Sequence, residues 1–238
     1  MKIKLSFETE NEKISQNYRF ALLSFFKKCL QKSYPEDYEK FYSAQNPVIK
    51  PFTFSVSFSK SEMQKDFVYA PDKFMNVYIT GLDEAFIIKL YNSFLKEKFK
   101  PYPFPENTIT LKKVNFVPQT DIKSEKALIK FMSPLIVRIH NGENDRYLDF
   151  SDENFNDTLN VNTKAVFEKF GFTGYEPIKI MPLKAKKTVV KSDGLCFNAS
   201  VGIFSIEGDT RVLNVLYRMG MGSRRSEGFG MFETLGGM

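Results

Sequence analysis

Residues 217–233 read Tyr-Arg-Met-Gly-Met-Gly-Ser-Arg-Arg-Ser-Glu-Gly-Phe-Gly-Met-Phe-Glu, and they carry most of the fold prediction. Two Gly-x-Gly pairs enclose a polar insert that contains Arg224 and Arg225. Glycine permits positive φ and a close approach of backbone, and successive N–H groups in such a loop can form an anion-binding concavity. Two guanidinium groups add donors suited to phosphate. The stretch therefore predicts either a phosphate-backbone clamp or a glycine-rich turn whose arginines are merely solvated.

The spacing of these glycines excludes two nucleotide-binding classes. It does not match G-x-G-x-x-G, and no G-K-[ST] follows, so neither a dinucleotide fold nor a Walker-type phosphate loop is supported. A helix over 210–219 is predicted before the loop, and a strand over 228–234 is predicted to end it.

The charge distribution favours a polyanion as the partner. The chain of 238 residues has 34 Lys and Arg against 28 Asp and Glu, a net charge of +6. Residues 179–225 alone contain nine basic and three acidic residues, an excess equal to that of the whole chain. Such clustering is typical of a nucleic-acid site, and the alternative is a solvated basic face.

Composition also indicates the compartment. No run of 18 apolar residues is present, so no membrane span and no membrane partner are expected. The N-terminal residues alternate charged and apolar types, which is typical of a strand and not of a signal peptide. With only Cys29 and Cys196, a disulfide is not expected, and a reducing cytoplasm is the predicted location.

Hydrophobic periodicity divides the chain into two halves with the same order of elements. In the first half, strands are predicted over 2–8, 52–58, 74–80 and 108–117, and helices over 17–32, 35–42 and from Asp83 to 96, with a break at the 101–105 proline run. In the second half, strands are predicted over 133–139, 178–190, 195–206 and 228–234, and helices over 152–170 and 210–219. Each half reads β-α-β-β-α-β. We therefore predict an α+β fold of two tandem ferredoxin-like halves, residues 1–125 and 126–238, the second with a C-terminal glycine-rich loop.

Four short motifs, in order along the chain, resemble those of the RAMP proteins of CRISPR systems. Within that superfamily the chain resembles the repeat-RNA endoribonucleases of the Cas-six type. The motifs are Asn17-Tyr18-Arg19-Phe20 at the first helix, Pro51-Phe52-Thr53-Phe54-Ser55 and Ser133-Pro134-Leu135-Ile136-Val137-Arg138 in strands, and Gly220-Met221-Gly222 through Gly228-Phe229-Gly230 in the terminal loop.

The resemblance implies a metal-independent cut in the repeat of a CRISPR precursor transcript. The 2′-hydroxyl would attack the adjacent phosphate and leave a 2′,3′-cyclic phosphate and a 5′-hydroxyl. No cofactor and no metal are expected. The implied partners are repeat RNA, the subunits of a CRISPR effector complex and a second copy of the chain.

The resemblance also implies the site residues. Tyr42 stands where many members of the family have a histidine, and Lys50 matches a family lysine. Arg224 or Arg225 would stabilise charge on the phosphate. A tyrosine with an ordinary pKa of about 10 is a poor base at neutral pH. RNA contacts are expected from Lys184, Lys186, Lys187, Arg218, Gly220, Gly222, Ser223, Arg224, Arg225, Gly228 and Gly230.

Three alternatives remain open at the level of sequence. The absence of the family histidine keeps open, as the alternative to the endoribonuclease, a protein that binds repeat RNA without cutting it. A structural RAMP subunit that caps a guide RNA is a second alternative, against which the two-halved pattern argues. His140, the only histidine, is a candidate acid–base group, or else a surface residue of the turn before Asn141-Gly142.

Overall fold

The computed structural model describes residues 1–42, 48–142, 144–192 and 194–237. They form two compact units. The first contains Met1–Pro51, Ser55–Gln119 and Lys191–Gly194, and the second contains Phe52–Phe54, Thr120–Val190 and Leu195–Met238. The domain division at 125/126 stays a prediction. Among the described residues, no helix combines the length and the apolar content that a membrane crossing requires.

The first unit is built on a five-stranded sheet with the order β3-β6-β1-β8-β7. Its strands are β1 (Lys2–Thr9), β2 (Lys13–Ser15), β3 (Phe52–Phe58), β4 (Glu62–Met63), β5 (Phe67–Tyr69), β6 (Phe74–Gly81), β7 (Pro101–Phe104) and β8 (Asn107–Val117), and its helices are α1 (Tyr18–Ser33), α2 (Pro35–Tyr42) and α3 (Glu84–Leu95). Strands β2, β5 and β4 form a separate small sheet. The strand β1 pairs antiparallel with both β6 and β8, which is the ferredoxin-like arrangement, with β7 added at one edge.

Alternating burial on the central strand explains how this unit packs. Ile3, Leu5 and Phe7 of β1 are fully buried, and the ring of Phe7 meets that of Phe25 of α1 edge-on at 5.5 Å. The ring of Phe25 also stacks on that of Phe94 of α3 at 6.0 Å. Both helices therefore cover the same face of the sheet through aromatic contacts.

Two predicted features of the first unit have different outcomes. The predicted helix start at Asp83 is confirmed, because Asp83 caps α3 and its carboxylate accepts a hydrogen bond from the backbone N–H of Phe86 at 3.1 Å. The break at the proline run is wrong, because Pro101–Phe104 forms β7 and pairs with β8. Proline is tolerated there because an edge strand has one side on which no backbone donor is needed.

The second unit repeats the topology with a four-stranded sheet of order β12-β13-β9-β14. Its strands are β9 (Lys126–Phe131), β10 (Val137–Asn141), β11 (Asn144–Leu148), β12 (Lys179–Ser192), β13 (Leu195–Glu207) and β14 (Phe232–Gly237), and its helices are α4 (Phe155–Lys169) and α5 (Thr210–Met219). Residue 193, between β12 and β13, lies outside the described residues. The predicted pair of ferredoxin-like units is confirmed.

The first strand of this second unit differs from the prediction. The first sheet strand is β9, whose Ala127, Ile129 and Phe131 alternate inward, and not the 133–139 segment. Pro134 has no N–H for a ladder. The residues that follow form one bridge, between Leu135 and Ser200, and then enter the separate β10–β11 hairpin.

The last strand of the second unit also differs from the prediction. It begins at Phe232 instead of Gly228. Gly228 and Gly230 have positive φ, of +90° and +67°, and such residues leave the extended conformation that a strand requires.

Candidate nucleic-acid interface

The helix α5 delivers the glycine-rich loop. Its carboxylate cap, Asp209, accepts a hydrogen bond from the N–H of Arg211 at 2.7 Å. The helix ends at Met219 because Gly220 adopts φ +81°, and the N–H of Gly220 donates to the carbonyl of Leu216 at 2.8 Å. Glycine adopts this positive φ without a Cβ penalty, so it can end the helix here.

Two of the loop glycines are required by close backbone contacts. A Cβ on Gly222 would lie 2.3 Å from the carbonyl oxygen of Ile136, and a Cβ on Gly230 would lie 1.9 Å from that of Met221. The N–H of Met221 donates to the carbonyl of Gly230 at 2.9 Å, and the N–H of Gly230 donates to that of Pro134 at 2.9 Å. These bonds tie the two ends of the loop to each other and to the segment before β10.

The other two glycines pack on the first residues of β3, Phe52–Phe54, which belong to the second unit. A Cβ on Gly220 would lie 2.9 Å from the side chain of Thr53, and a Cβ on Gly228 would lie 2.7 Å from the ring of Phe54. The buried hydroxyl of Thr53 donates to the carbonyl of Phe229 at 2.8 Å. The Phe-Thr-Phe strand motif and the glycine motif are therefore two sides of one packed structure.

Three of these glycines do not offer a free N–H group to the anion-binding concavity that the sequence suggested. Gly220 and Gly230 use their N–H groups as described above, and Gly228 donates to the carbonyl of Arg225 at 3.0 Å. All four loop glycines are buried. Backbone carbonyls already occupy these donors, so the glycines shape the loop and leave residues 223–227 at its tip.

At this tip, Ser223 is held on two sides. Its N–H donates to the carbonyl of Ile136 at 2.8 Å, and its hydroxyl donates to Oδ1 of Asn162 at 2.8 Å. The same side chain of Asn162, on α4, bonds both backbone groups of Arg138 on β10, at 3.0 and 2.8 Å. The loop, α4 and β10 are thus joined through one amide.

Arg224 is the cation that the loop presents. It has a left-handed φ of +53°, and its guanidinium carbon lies 4.4 Å from the ring centroid of Phe197 and 5.9 Å from that of Tyr147. Its Nη1 donates to Oε2 of Glu227 at 2.8 Å, and its Nε donates to the hydroxyl of Tyr147 at 3.4 Å. Burial lowers its pKa, but the charges and hydrogen bonds of Glu227 and Tyr147 outweigh burial and raise it. The side chain remains 21% exposed, so it is held in place and still accessible.

The neighbouring Arg225 has a different environment. It is 7% exposed, and burial lowers its pKa to about 10, so it keeps its charge at neutral pH. In the part of the chain that the structure describes, no carboxylate forms an ion pair with it. The two adjacent arginines therefore have different environments, and Arg225 is an interior residue of the loop.

The remaining predicted RNA contacts lie on β12 and α5. Lys184 and Lys186 are exposed, and neither forms an ion pair with another described residue. Lys187 pairs with Asp149 at 3.3 Å. Arg218, in the last turn of α5, donates to Asp121 at 2.9 Å. Of these four predicted contacts, Lys184 and Lys186 are not neutralised by a described carboxylate, whereas Lys187 and Arg218 have carboxylate partners.

Tyr42 and Lys50 lie together in the first unit. The Nζ atoms of Lys50 and Lys27 lie 4.9 and 5.0 Å from the centroid of the Tyr42 ring, and Tyr38 stacks on it at 5.6 Å. Burial raises the pKa of Tyr42, and the neighbouring Tyr38 raises it further. Tyr42 therefore stays protonated at neutral pH, and as a catalytic group it could donate a proton but not accept one.

Comparison with known proteins identifies the family. The family described as CRISPR associated protein Cas6, C-terminal, matches residues 117–234, a segment that spans β9 to the loop and the first half of β14. Residues 117–234 therefore belong to the Cas6 type of CRISPR-associated protein. A search of curated proteins finds no match in sequence.

Solved structures share the fold of the whole chain. A Cas6-related protein from Pyrococcus furiosus aligns with a TM-score of 0.86 at 19% identity, covering 99% of this chain and 98% of the other. A RAMP protein that binds different RNA substrates aligns with a TM-score of 0.86 at 20% identity, covering 99% and 100%. A CRISPR associated protein Cas6 aligns with a TM-score of 0.79 at 22% identity, covering 99% of each chain.

Several residues of the candidate site were not predicted from the sequence. Tyr147, Phe197 and Glu227 surround Arg224, and Asn162 positions Ser223. Tyr147 and Phe197 lie on different strands, far from Arg224 in sequence, so no local pattern connects them. Glu227 is the exception, because its spacing of three residues from Arg224 could have indicated a contact between the two side chains. Among the described residues, no group of three or more His, Cys, Asp and Glu side chains could hold a metal ion.

Proposed function

We propose that this chain binds CRISPR repeat RNA and cuts the precursor transcript once in each repeat. The observation that carries the proposal is Arg224, held at the tip of the glycine-rich loop inside the segment that matches the Cas6 family. The products are a 2′,3′-cyclic phosphate and a 5′-hydroxyl.

The chemistry of Arg224 supports phosphate binding. A guanidinium offers planar, paired donors that match phosphate oxygens, and it keeps its charge at any working pH. Stacking on Phe197 fixes its direction, and a cation over an aromatic face contributes about 0.5–2 kcal/mol. Glu227 occupies one donor in the free protein, and a phosphate would replace that carboxylate.

The exposed lysines of β12 support a path for the RNA backbone. Lys184 and Lys186 carry charges that no described carboxylate neutralises. Each phosphate neutralised by such a cation releases condensed counterions, so these contacts make binding depend on salt without reading sequence.

The cleavage step is an intramolecular displacement. The 2′-oxygen forms a bond to phosphorus, the bond from phosphorus to the 5′-oxygen breaks, the 2′-proton moves to an acceptor, and the 5′-oxygen receives a proton. The protein must supply alignment, proton transfer and positive charge near the phosphorane. We assign Lys50 as proton donor or electrostatic stabiliser, Tyr42 as a second candidate donor, and Arg224 as the cation.

A second candidate function is binding of repeat RNA without cleavage. The raised pKa of Tyr42 favours it, because the residue in the place of the family histidine cannot accept the 2′-proton. In that case the contacts of Arg224, Lys184 and Lys186 would serve affinity alone.

The deciding experiment is cleavage of the cognate repeat RNA in EDTA, with and without a 2′-deoxy nucleotide at the cut site. A single cut that survives EDTA and disappears with the 2′-deoxy substrate supports the endoribonuclease. Tight binding with no cut supports the second function, and Tyr42→His would then be expected to gain cleavage. An RNA that is neither bound nor cut would contradict both proposals.

Salt titrations test the role of Arg224. Arg224→Gln should weaken RNA binding and reduce the slope of log affinity against log salt by about 0.7–0.9, the value for one phosphate contact. Arg211→Gln is the matched control, because it removes the same charge from an exposed residue at the other end of α5. Equal slopes for the Arg224 variant and the unsubstituted protein would exclude the phosphate contact.

A separate pair of variants tests Lys50. Lys50→Gln should slow cleavage and leave RNA affinity unchanged. Lys27→Gln is the control, because Lys27 lies at nearly the same distance from the Tyr42 ring. An equal loss in both variants would assign the effect to the charge around Tyr42 and not to Lys50.

A further inference from the structure

The β10–β11 hairpin carries four polar side chains on one face. Arg138 is paired across the strands with Tyr147, and His140 is paired with Asp145. Side chains alternate between the two faces of a strand, so residues 138 and 140 and their cross-strand partners point to the same side. This face, formed by Arg138, His140, Asp145 and Tyr147, is called the hairpin face below.

Asp145 is the centre of the hairpin face. Its carboxylate lies 2.7 Å from Nδ1 of His140, and it accepts from Nη1 of Arg138 at 3.1 Å and from the hydroxyl of Tyr147 at 3.4 Å. The hydroxyl of Tyr147 also accepts from Nε of Arg224 at 3.4 Å. A continuous chain of hydrogen bonds therefore runs from His140 to the cation of the glycine-rich loop.

His140 is oriented for a ligand. Its side chain is 65% exposed, and Asp145 occupies Nδ1. No described residue bonds to Nε2, the nitrogen on the other side of the ring. A carboxylate on one ring nitrogen fixes the direction in which the other nitrogen points.

The charges of the hairpin face make its anion affinity depend on one proton. Arg138 contributes one positive charge, and Asp145 cancels it. When His140 is neutral, Arg138, His140 and Asp145 together have no net charge. When it is protonated, their sum is +1. A phosphate is attracted more strongly in the second case.

We propose that the hairpin face is a second RNA phosphate site, contiguous with the glycine-rich loop, in which His140 binds as the imidazolium. The inference rests on the proposed RNA binding and adds its regulation, because each RNA bound at this site takes up a proton. Arg138 and His140 contact the phosphate directly. Asp145 is a positioning residue that orients the imidazole.

The other charged groups near His140 do not replace it as the titrating group. The hydrogen bond from His140, together with Arg138, holds the pKa of Asp145 below its usual value, so this carboxylate stays ionised between pH 5.5 and 7.5. On β11, Arg146 projects from the opposite face and pairs with Asp152 at 3.4 Å. The helix α4, which packs on β10, has four charged residues, and none of these described side chains forms an ion pair with His140. They are Asp157, Lys164, Glu168 and Lys169.

The composition of the chain makes the test unusually specific, because His140 is its only histidine. The affinity for repeat RNA without terminal phosphates is measured from pH 7.5 to 5.5 at constant ionic strength, since a terminal phosphate would itself titrate near 6. Binding by the unsubstituted protein should tighten about five- to tenfold over this range by proton linkage. His140→Asn keeps a donor toward Asp145 but cannot titrate, and its affinity should stay constant.

Arg146→Gln is the matched control, because it removes a charge from the other face of the same hairpin. It should keep the full pH dependence. The single imidazole signal in the NMR spectrum gives a second readout, since RNA should move its titration curve to higher pH.

The outcomes separate this inference from the proposed function. Absence of RNA binding at every pH would overturn both. RNA binding with the same pH dependence in His140→Asn as in the unsubstituted protein would overturn the hairpin site alone. A constant affinity for the unsubstituted protein would also overturn it.

Discussion

The substitution Gly230→Ala tests whether the glycine-rich loop depends on backbone contact. The new Cβ would lie 1.9 Å from the carbonyl oxygen of Met221. Real Cβ contacts essentially never fall below 3.0 Å, so the loop segments around Met221 and Gly230 must separate by about 1.1 Å. That movement breaks the bonds from Met221 to Gly230 and from Gly230 to Pro134, both 2.9 Å long.

The expected loss of stability combines two contributions. An alanine at φ +67° costs about 1–2 kcal/mol for the left-handed conformation. Two broken backbone hydrogen bonds cost about 0.5–1.5 kcal/mol each. We therefore expect a loss of roughly 2–5 kcal/mol, which is a large part of the ~5–15 kcal/mol that stabilises a typical protein.

Gly174→Ala isolates the conformational contribution. Gly174 has the same φ of +67°, but nothing lies within 4 Å of its added Cβ. Its loss should be only about 1–2 kcal/mol. Both variants are compared with the unsubstituted protein by urea unfolding, followed by far-UV circular dichroism. If Gly230→Ala is no less stable than Gly174→Ala, the loop does not hold the close contact and the packing argument is wrong.

Four further predictions test individual residues. Arg225→Met should preserve or raise stability, because it removes the cost of burying a cation, and a clear loss in thermal unfolding would contradict an unpaired interior charge. The folded state raises the pKa of Tyr42 above the unfolded value of about 10, so the contribution of this residue to the free energy of unfolding is complete below pH 10 and is lost at higher pH. Tyr42→Phe should reduce this loss of stability at alkaline pH in urea unfolding. Cys196 is exposed, whereas burial raises the pKa of Cys29 to about 12, so a thiol reagent should label one cysteine in the folded chain and two in urea. Asp83→Ala removes the cap of α3 and should cost about 1 kcal/mol in the same unfolding assay.

Local patterns were sufficient for most elements of the fold. The helices α2 and α5 and the strand β3 have the predicted bounds, because alternation or helical spacing of their apolar residues is unambiguous. The strand that opens the second unit could not be identified in this way. Leu135, Ile136 and Val137 are as apolar as a core strand, but Ile136 is buried against Phe229 and Phe197, which only the folded chain brings near.

The glycines show the same limit at the candidate site. Their spacing correctly indicated positive φ, which is a local property. It did not indicate where their amides would bond, because the partner of Gly230 is the carbonyl of Pro134, almost one hundred residues earlier. A loop with free N–H groups and a loop whose N–H groups are bonded can have the same sequence pattern. Only the distant carbonyl that accepts the hydrogen bond distinguishes them.

The two adjacent arginines require separate tests because their backbone conformation directs them into different environments. The left-handed φ of Arg224 and the 3₁₀ turn that begins at Arg225 send the first side chain to the aromatic surface and the second into the interior. A double substitution would mix a phosphate contact with a change in packing, and a loss of RNA binding would then have two explanations. If Arg224→Gln alone lowers the salt dependence and Arg225→Met alone does not, the loop contributes one phosphate contact, and its second arginine belongs to the fold.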